Sequence, residues 1–270
     1  MLKPLAILPA LTMQLAAQQA SYRFPPRDTL KYHEITESRI ELHPPRGAVT
    51  LTSRHDAKIA LATDGGDTMT AWYEDLTLSS TTPQGERRPS TGAALHLPFR
   101  FVLTRAGQVT ALTAPSFPPE IASQTDLTHQ FEDFFISLPS SALRPRATWA
   151  DTVESSTTGS PRDTYQARHI RRYRALRDTV LAGGVAAIVI AFEQEISVRS
   201  SSPMQNAAVT IYTRLEGHEE GTAVFAPTAA RLVSRVRHGH LDGEQVLKRE
   251  GREMTVPMLY EYSSSLVGLR

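Results

Sequence analysis

The sequence predicts a mainly β protein: a curved antiparallel sheet, a half-barrel, packed on one central amphipathic helix. Three observations predict it. Long segments alternate apolar and polar residues, glycine-containing turns separate them, and a single segment carries helical spacing of its aromatic residues. In Ala186–Arg199 the even positions Ile188, Ile190, Phe192, Ile196 and Val198 are apolar, while Glu193, Glu195, Ser197 and Arg199 occupy the odd ones. Successive side chains of a strand point to opposite faces, so this is a strand with one buried and one wet side. One-sided alternation joined by tight turns argues for antiparallel meanders, because parallel strands are covered on both faces.

Taken in order, the chain opens with Met1-Leu2-Lys3 and an uncharged run from Pro4 to Ala17. A short positive end, an apolar core and small residues at Ala17 and Ala20 fit a signal peptide over residues 1–20. The run is too short, and too broken by Pro4 and Pro9, for a helical membrane span. Residues 21–270 then read as a single β-rich domain, with halves 21–118 and 139–270 joined by a helix over 119–138. Leu97, Phe99, Phe101 and Leu103 repeat the strand pattern, as do Val209, Ile211, Thr213 and Leu215. Asp64-Gly65-Gly66-Asp67, Ala106-Gly107, Gly183-Gly184 and Asp242-Gly243 read as hairpin turns, and Ser155–Pro161 as a turn-forming connection. The polar stretch 79–93 reads as a mobile connection. The helix is predicted from Leu127, Phe131, Phe134, Phe135 and Leu138, spaced four, three, one and three apart. Ser123 with Asp126 resembles a capping box and Pro139 stops the run. Element order before and after the helix suggests two repeated meanders.

Composition narrows function by exclusion. With 29 basic and 28 acidic residues the chain carries a formal charge of +1, which gives no compositional case for nucleic-acid binding. The absence of cysteine excludes disulfides, thiolate chemistry, cysteine-built zinc sites and an acylated-cysteine anchor. No transmembrane span is expected after the leader.

Leu138-Pro139, followed by Pro145-Arg146-Ala147-Thr148-Trp149, resembles a segment of uncharacterised exported bacterial β-proteins. In those, a Leu-Pro pair follows a helix and a Pro-Gly turn leads to a strand-starting Trp; here Arg146 stands where glycine is usual. The order of strands, helix and strands is similar to the periplasmic lipoprotein-carrier half-barrels. That resemblance implies a curved sheet wrapped round a helix with an apolar concavity.

Candidate chemistry is sparse. Leu127, Phe131, Phe134 and Phe135, with Ile188, Ile190 and Phe192, are the expected walls of a lipophilic site between helix and sheet. Arg168, Arg171, Arg172 and Arg174, with Arg177, form a basic cluster suited to an anionic group, or else a solvated face. His238, His240 and Asp242 could share a metal if the histidines, two apart on a strand and in parity with Leu232, face inward. Glu193 and Glu195 share a strand face, the wet one. No Gly-x-Ser-x-Gly and no phosphate-binding glycine loop is present. The expected function is an exported periplasmic or secreted envelope protein, non-enzymatic and without cofactor. Its partner would be a lipophilic small molecule or an envelope protein. The alternatives are a metal-dependent hydrolase at His238, His240 and Asp242, and a structural subunit of an envelope assembly.

Overall fold

A computed structural model of the chain describes residues 19–25, 28–122, 124–160, 163–203, 209–249 and 252–269. The architecture is one open antiparallel sheet of twelve strands. The first meander comprises β1 (Thr29–Leu42), β2 (Val49–Gly65), β3 (Thr68–Thr82), the short β4 (Gly85–Arg87), β5 (Phe99–Leu103) and β6 (Val109–Thr113). The second comprises β7 (Thr148–Ser160), β8 (Asp163–Val180), β9 (Ala186–Pro203), β10 (Val209–Ala226), β11 (Arg231–Arg249) and β12 (Arg252–Leu269). Spatial order is β6-β5-β3-β2-β1-β12-β11-β10-β9-β8-β7, with β4 beside β3. The two meanders therefore fuse through the β1–β12 ladder, which runs from Lys31 opposite Leu269 to Leu42 opposite Met258.

That order has a consequence for the connection between the meanders. β6 and β7 lie at opposite edges, so residues 114–147 must cross the sheet from one side to the other. They do so over one face, here termed inner, and supply much of the core. Phe131, Phe134, Phe135 and Leu138 pack there with Tyr32, Ile59, Tyr73, Phe99, Phe101, Ile190 and Phe225. The ring pairs are close and mostly edge-on: Phe99–Phe131 at 4.7 Å, Phe134–Phe135 at 5.0 Å, Tyr32–Phe134 at 5.4 Å. The amino-terminal arm joins them, with Tyr22 edge-on to Phe135 and Phe225 and its hydroxyl donating to the Ile136 carbonyl at 3.1 Å.

The predicted helix over 119–138 is not formed. A single helical turn, α1 (Pro119–Ala122), is followed by turns through residues 124–135. The apolar positions are buried as expected, but by a chain closing three-residue turns: Gln130 N–H bonds the Leu127 carbonyl, Glu132 that of His129, Phe134 that of Phe131. Local and tertiary competition explain the loss. Asp126 accepts the Thr128 N–H at 2.9 Å, a side-chain turn that diverts the backbone from helix. Further along, the Asp133 and Phe134 carbonyls accept from Arg235. The donors that would reach them in a helix go elsewhere, Ser137 N–H to the Tyr173 hydroxyl and Leu138 N–H to the Ala106 carbonyl. Ser123, the proposed cap, lies outside the described residues.

Three further expectations are corrected. Asp242-Gly243 is not a turn but lies within β11, where Gly243 faces Leu215 of β10. Ser155–Ser160 is not a turn-forming connection; these residues extend β7 and pair along β8, and Pro161 lies outside the described residues. The stretch 79–93 is not wholly irregular, because Ser80 to Thr82 pair with Gly85 to Arg87 as a hairpin. By contrast, Gly65-Gly66 and Gly183-Gly184 do turn, with φ of +119°, +62°, +85° and +78°. Gly107 (φ +90°) turns between β5 and β6 against the strap, where a Cβ would stand 2.3 Å from the Ile136 carbonyl oxygen. Arg146 holds a left-handed φ of +70° without glycine's freedom, and its N–H is fixed by the Ala175 carbonyl at 2.7 Å just before β7 begins.

Candidate functional site

The inner face is divided into three zones. At the end nearest the strap, the aromatic cluster already described is closed to solvent: Phe131 and Phe134 are 0% exposed and Phe135 is 1%. All seven expected ligand-wall residues belong to this one core. The structure brings Leu127, Phe131, Phe134 and Phe135 against the sheet that carries Ile188, Ile190 and Phe192. It packs them side chain on side chain, so the apolar face is occupied by the protein's own strap.

Beyond the strap's tip lies a belt of buried charge that sequence reasoning missed. Asp133, on the strap, meets Arg171 of β8 at 3.2 Å and Arg237 of β11 at 3.0 Å. Gln194 of β9 donates to Asp133 at 3.3 Å and to Glu219 of β10 at 2.7 Å. Glu219 also accepts from Tyr262 and stands 3.5 Å from Arg237. Arg235 donates to the strap carbonyls of Asp133 and Phe134 and lies 3.7 Å from Glu34. Glu34, fully buried, accepts from Gln130 of the strap and from Ser264. Three carboxylates thus face three guanidinium groups, and every cross-link to the strap is polar.

Burial of isolated ions is costly, so the partners determine each protonation state. Burial acts to raise the Asp133 carboxyl, but Arg171 and Arg237 overcome it and hold that group well below the ordinary carboxylate range. Burial dominates at Glu219 and raises it, against the opposing pull of Arg237. Burial, reinforced by neighbouring Arg237, likewise lowers Arg235. The belt holds the tip of the strap against the sheet, and among the described residues no nucleophile is paired there with a base.

A signal for this belt did exist in the sequence. Glu219 shares parity with Leu215 and Phe225, Glu34 with Tyr32 and Ile40, and Arg171 with Tyr165 and Tyr173. Charges that interrupt an apolar parity are charges on the buried face.

In the third zone neighbouring strands β9 to β12 pack their own side chains together. Leu215 lies opposite Gly243, Leu241 opposite Gly217, Glu219 opposite Gly239 and Arg237 opposite Gly221. Each large inward side chain has a glycine as its cross-strand neighbour. A Cβ on Gly217 would stand 2.1 Å from the His240 carbonyl oxygen, and one on Gly243 1.8 Å from that of Arg214. These glycines let β10 and β11 coil tightly. A second, smaller core of Ile196, Leu215, Leu241 and Met258 forms below them.

The remaining expected site residues lie on the outer face. A register shift at Val224/Phe225 leaves Val233 of β11 unpaired, which reverses the parity between Leu232 and Arg235. His238 and His240 consequently face outward beside the exposed Val236, correcting the inward placement expected from Leu232. They line an outer groove of about 680 Å³ with His218, Glu220 and Glu261. His240 contacts Asp242 at 3.3 Å and Glu261 at 3.4 Å, and among the described residues no three such side chains stand in metal-holding geometry.

The arginine cluster is split by strand alternation. Arg171 points into the buried belt, whereas Arg168 and Arg172 are exposed and paired with Glu154 and Glu195, and Arg174 is exposed. Arg172, Arg174, Glu193 and His238 edge a second outer groove of about 1020 Å³. Glu193 and Glu195 are both exposed.

No protein-family model matches the chain, and no curated protein sequence matches it. Among solved structures it is similar to lipovitellin, described in terms of lipid–protein interactions, at 13% identity and a TM-score of 0.48 over 92% of this chain. The chain spans 26% of the length of that lipovitellin chain. It is also similar to Neisserial surface protein A (8% identity, TM-score 0.22, 88% of this chain and 96% of that one). A third similarity is to Pseudomonas aeruginosa OccK2 (10% identity, TM-score 0.23, 92% of this chain and 100% of that one). These values describe partial geometric likeness and assign no activity, ligand or partner. Among the described residues no helix is long and apolar enough to cross a membrane.

Proposed function

We propose that the chain is an exported envelope protein that binds a lipophilic group on the inner face of a half-barrel sheet. Residues 114–147 act as the strap that covers that face when the group is absent. One observation carries this reading. The apolar inner face is filled by a connection that makes neither an extended helix nor a ladder with the sheet, and that is tied down at its tip by Asp133 and two backbone carbonyls. A segment held by side chains can leave without unzipping any strand. The resemblance to lipoprotein carriers belongs to this proposal, as does a non-enzymatic role. Leader cleavage near Ala17 or Ala20 also belongs here. Ala17 lies outside the described residues, whereas Ala20 is buried beside the strap, so processing at Ala17 keeps the amino-terminal arm intact.

The test uses the absence of native cysteine. Ser80 and Gln124 meet at 3.2 Å between sheet and strap. With Ser80→Cys and Gln124→Cys joined by a short reducible linker, the strap cannot leave. A dansyl-labelled fatty acid is expected to bind the unlinked protein saturably, to lose at least tenfold affinity on linking, and to regain it on reduction. Equal binding by linked and unlinked protein would place any lipophilic site elsewhere, and no binding by either would end the carrier reading.

A further inference from the structure

We propose that the β8–β9 turn is a membrane-docking tip, which seats one end of the sheet on a lipid surface. From Thr179 to Ala187 the chain carries no charged side chain. The β2–β3 and β5–β6 turns are polar by contrast, Asp64-Gly65-Gly66-Asp67 and Thr104-Arg105-Ala106-Gly107-Gln108, whereas the β10–β11 turn Pro227-Thr228-Ala229-Ala230, which borders the same pocket, is likewise uncharged. In the β8–β9 turn the exposed side chains are apolar: Val180 is 71% exposed and Val185 37%. Solvent exposure of aliphatic groups on a protruding turn has no folding benefit, since they leave no apolar area covered.

Two backbone bonds close the turn. Leu181 N–H bonds the Val185 carbonyl at 2.9 Å and Gly184 N–H the Leu181 carbonyl at 3.0 Å. The positive φ at Gly183 and Gly184 allows that closure.

The apolar surface continues behind the turn. Leu181 and Val185 share a pocket of about 310 Å³ with Leu30, Ala226, Ala229 and Leu269, residues from three other strand ends. The two charged residues of that pocket, Lys31 and Arg231, are both basic; Lys31 is paired with Glu74 at 2.8 Å, so the cation offered to a headgroup is Arg231, with Arg177 preceding the turn. Asp28 and Asp178 lie outside the lining. Basic groups around an apolar tip match anionic headgroups around an acyl phase.

The full chain is tested by sedimentation with vesicles of phosphatidylethanolamine and phosphatidylglycerol, and with vesicles of phosphatidylcholine alone. The expected result is co-sedimentation, stronger with the anionic vesicles. Val180→Glu with Val185→Glu should weaken it at least tenfold while leaving the melting temperature and dansyl-fatty-acid binding unchanged. Arg231→Gln should weaken it about fivefold on anionic vesicles only. Unchanged sedimentation of the double variant, or no sedimentation of the parent protein, would overturn the proposal. A dimer in sedimentation velocity that the double variant abolishes would make a second copy the occupant instead. The fatty-acid readout separates failure of the tip from failure of the inner-face site.

Discussion

The two ends of the inner face solve the same problem by different means. At the strap end the inner face is covered by imported rings, Phe131, Phe134 and Phe135. At the other end nothing is imported: Gly217, Gly221, Gly239 and Gly243 let β10 and β11 coil until Leu215, Leu241, Ile196 and Met258 meet. Imported filling is replaceable by any other apolar group of similar shape. Coiling of a continuous ladder is not. Under the proposed function, the strap end is where the lipophilic group enters and the glycine end is the fixed part of the frame, with the ionic belt as the border between them.

The comparison is sharpened most by mutating the strap's most buried ring. Phe134→Ala should cost about 3–5 kcal/mol in urea unfolding, as removal of a buried aromatic usually does. If fatty-acid binding tightens in the same variant, the strap competes with ligand; if binding is simply lost, the rings are scaffold.

Asp133→Asn comes next. It leaves buried Arg171 without its carboxylate, while Arg237 keeps Glu219 at 3.5 Å, a loss of about 3 kcal/mol. Its pH dependence has a definite sign. A carboxylate held below its unfolded value stabilises the fold above about pH 3.9 and loses that contribution as pH falls toward the folded value. Glu219, raised by burial, acts the other way, since its protonation on acidification favours the folded state. The acid limb of the stability curve should therefore be shallower in Asp133→Asn than in the parent, and a parallel limb would show that Asp133 is not the border's acid-sensitive group.

At the glycine end, Gly243→Ala should cost about 2–3 kcal/mol because its Cβ meets backbone. Gly183→Ala, in open space at positive φ, should cost about 1 kcal/mol. Equal costs would mean that β10 and β11 coil for some other reason.

The smallest effect concerns His129 on the strap, bonded to Glu132 at 2.7 Å and stacked on Tyr165. Burial disfavours its charged form, but Glu132 outweighs that and raises it. The pair's contribution is thus present below the ordinary imidazole value and lost as pH rises through the folded one. His129→Gln should differ from the parent by about 1 kcal/mol near pH 5 and by little near pH 9, as a partly exposed pair allows.

Much of the sheet was legible because alternation survives wherever a ladder is regular. Ile188, Ile190, Phe192 and Ile196 are buried as read, and the Gly65-Gly66 and Gly183-Gly184 turns stand where the glycines are. The strap was half legible. Spacings of four, three, one and three report which side chains are buried, and a run of three-residue turns satisfies them as well as a helix does. Its conformation is decided by Arg235 of β11 and Ala106 of the β5–β6 turn, each more than thirty residues along the sequence from the strap group it bonds. Parity in β11 was misread because one bulge at Val233 reverses it, and no local residue type announces a bulge. The ionic belt was visible in principle, as charges at Glu34, Arg171 and Glu219 on apolar parities, yet its closure needs Asp133 from a segment whose path only the tertiary fold sets.

Hydrogen–deuterium exchange with and without a saturating fatty acid reads the strap and the frame in one experiment. Ligand should accelerate exchange in residues 124–138 while residues 188–198 and 215–223 stay protected. Exchange in the strap that is unchanged or slowed at saturation would contradict the proposed function, since the strap and the ligand would then not be competing for the same face.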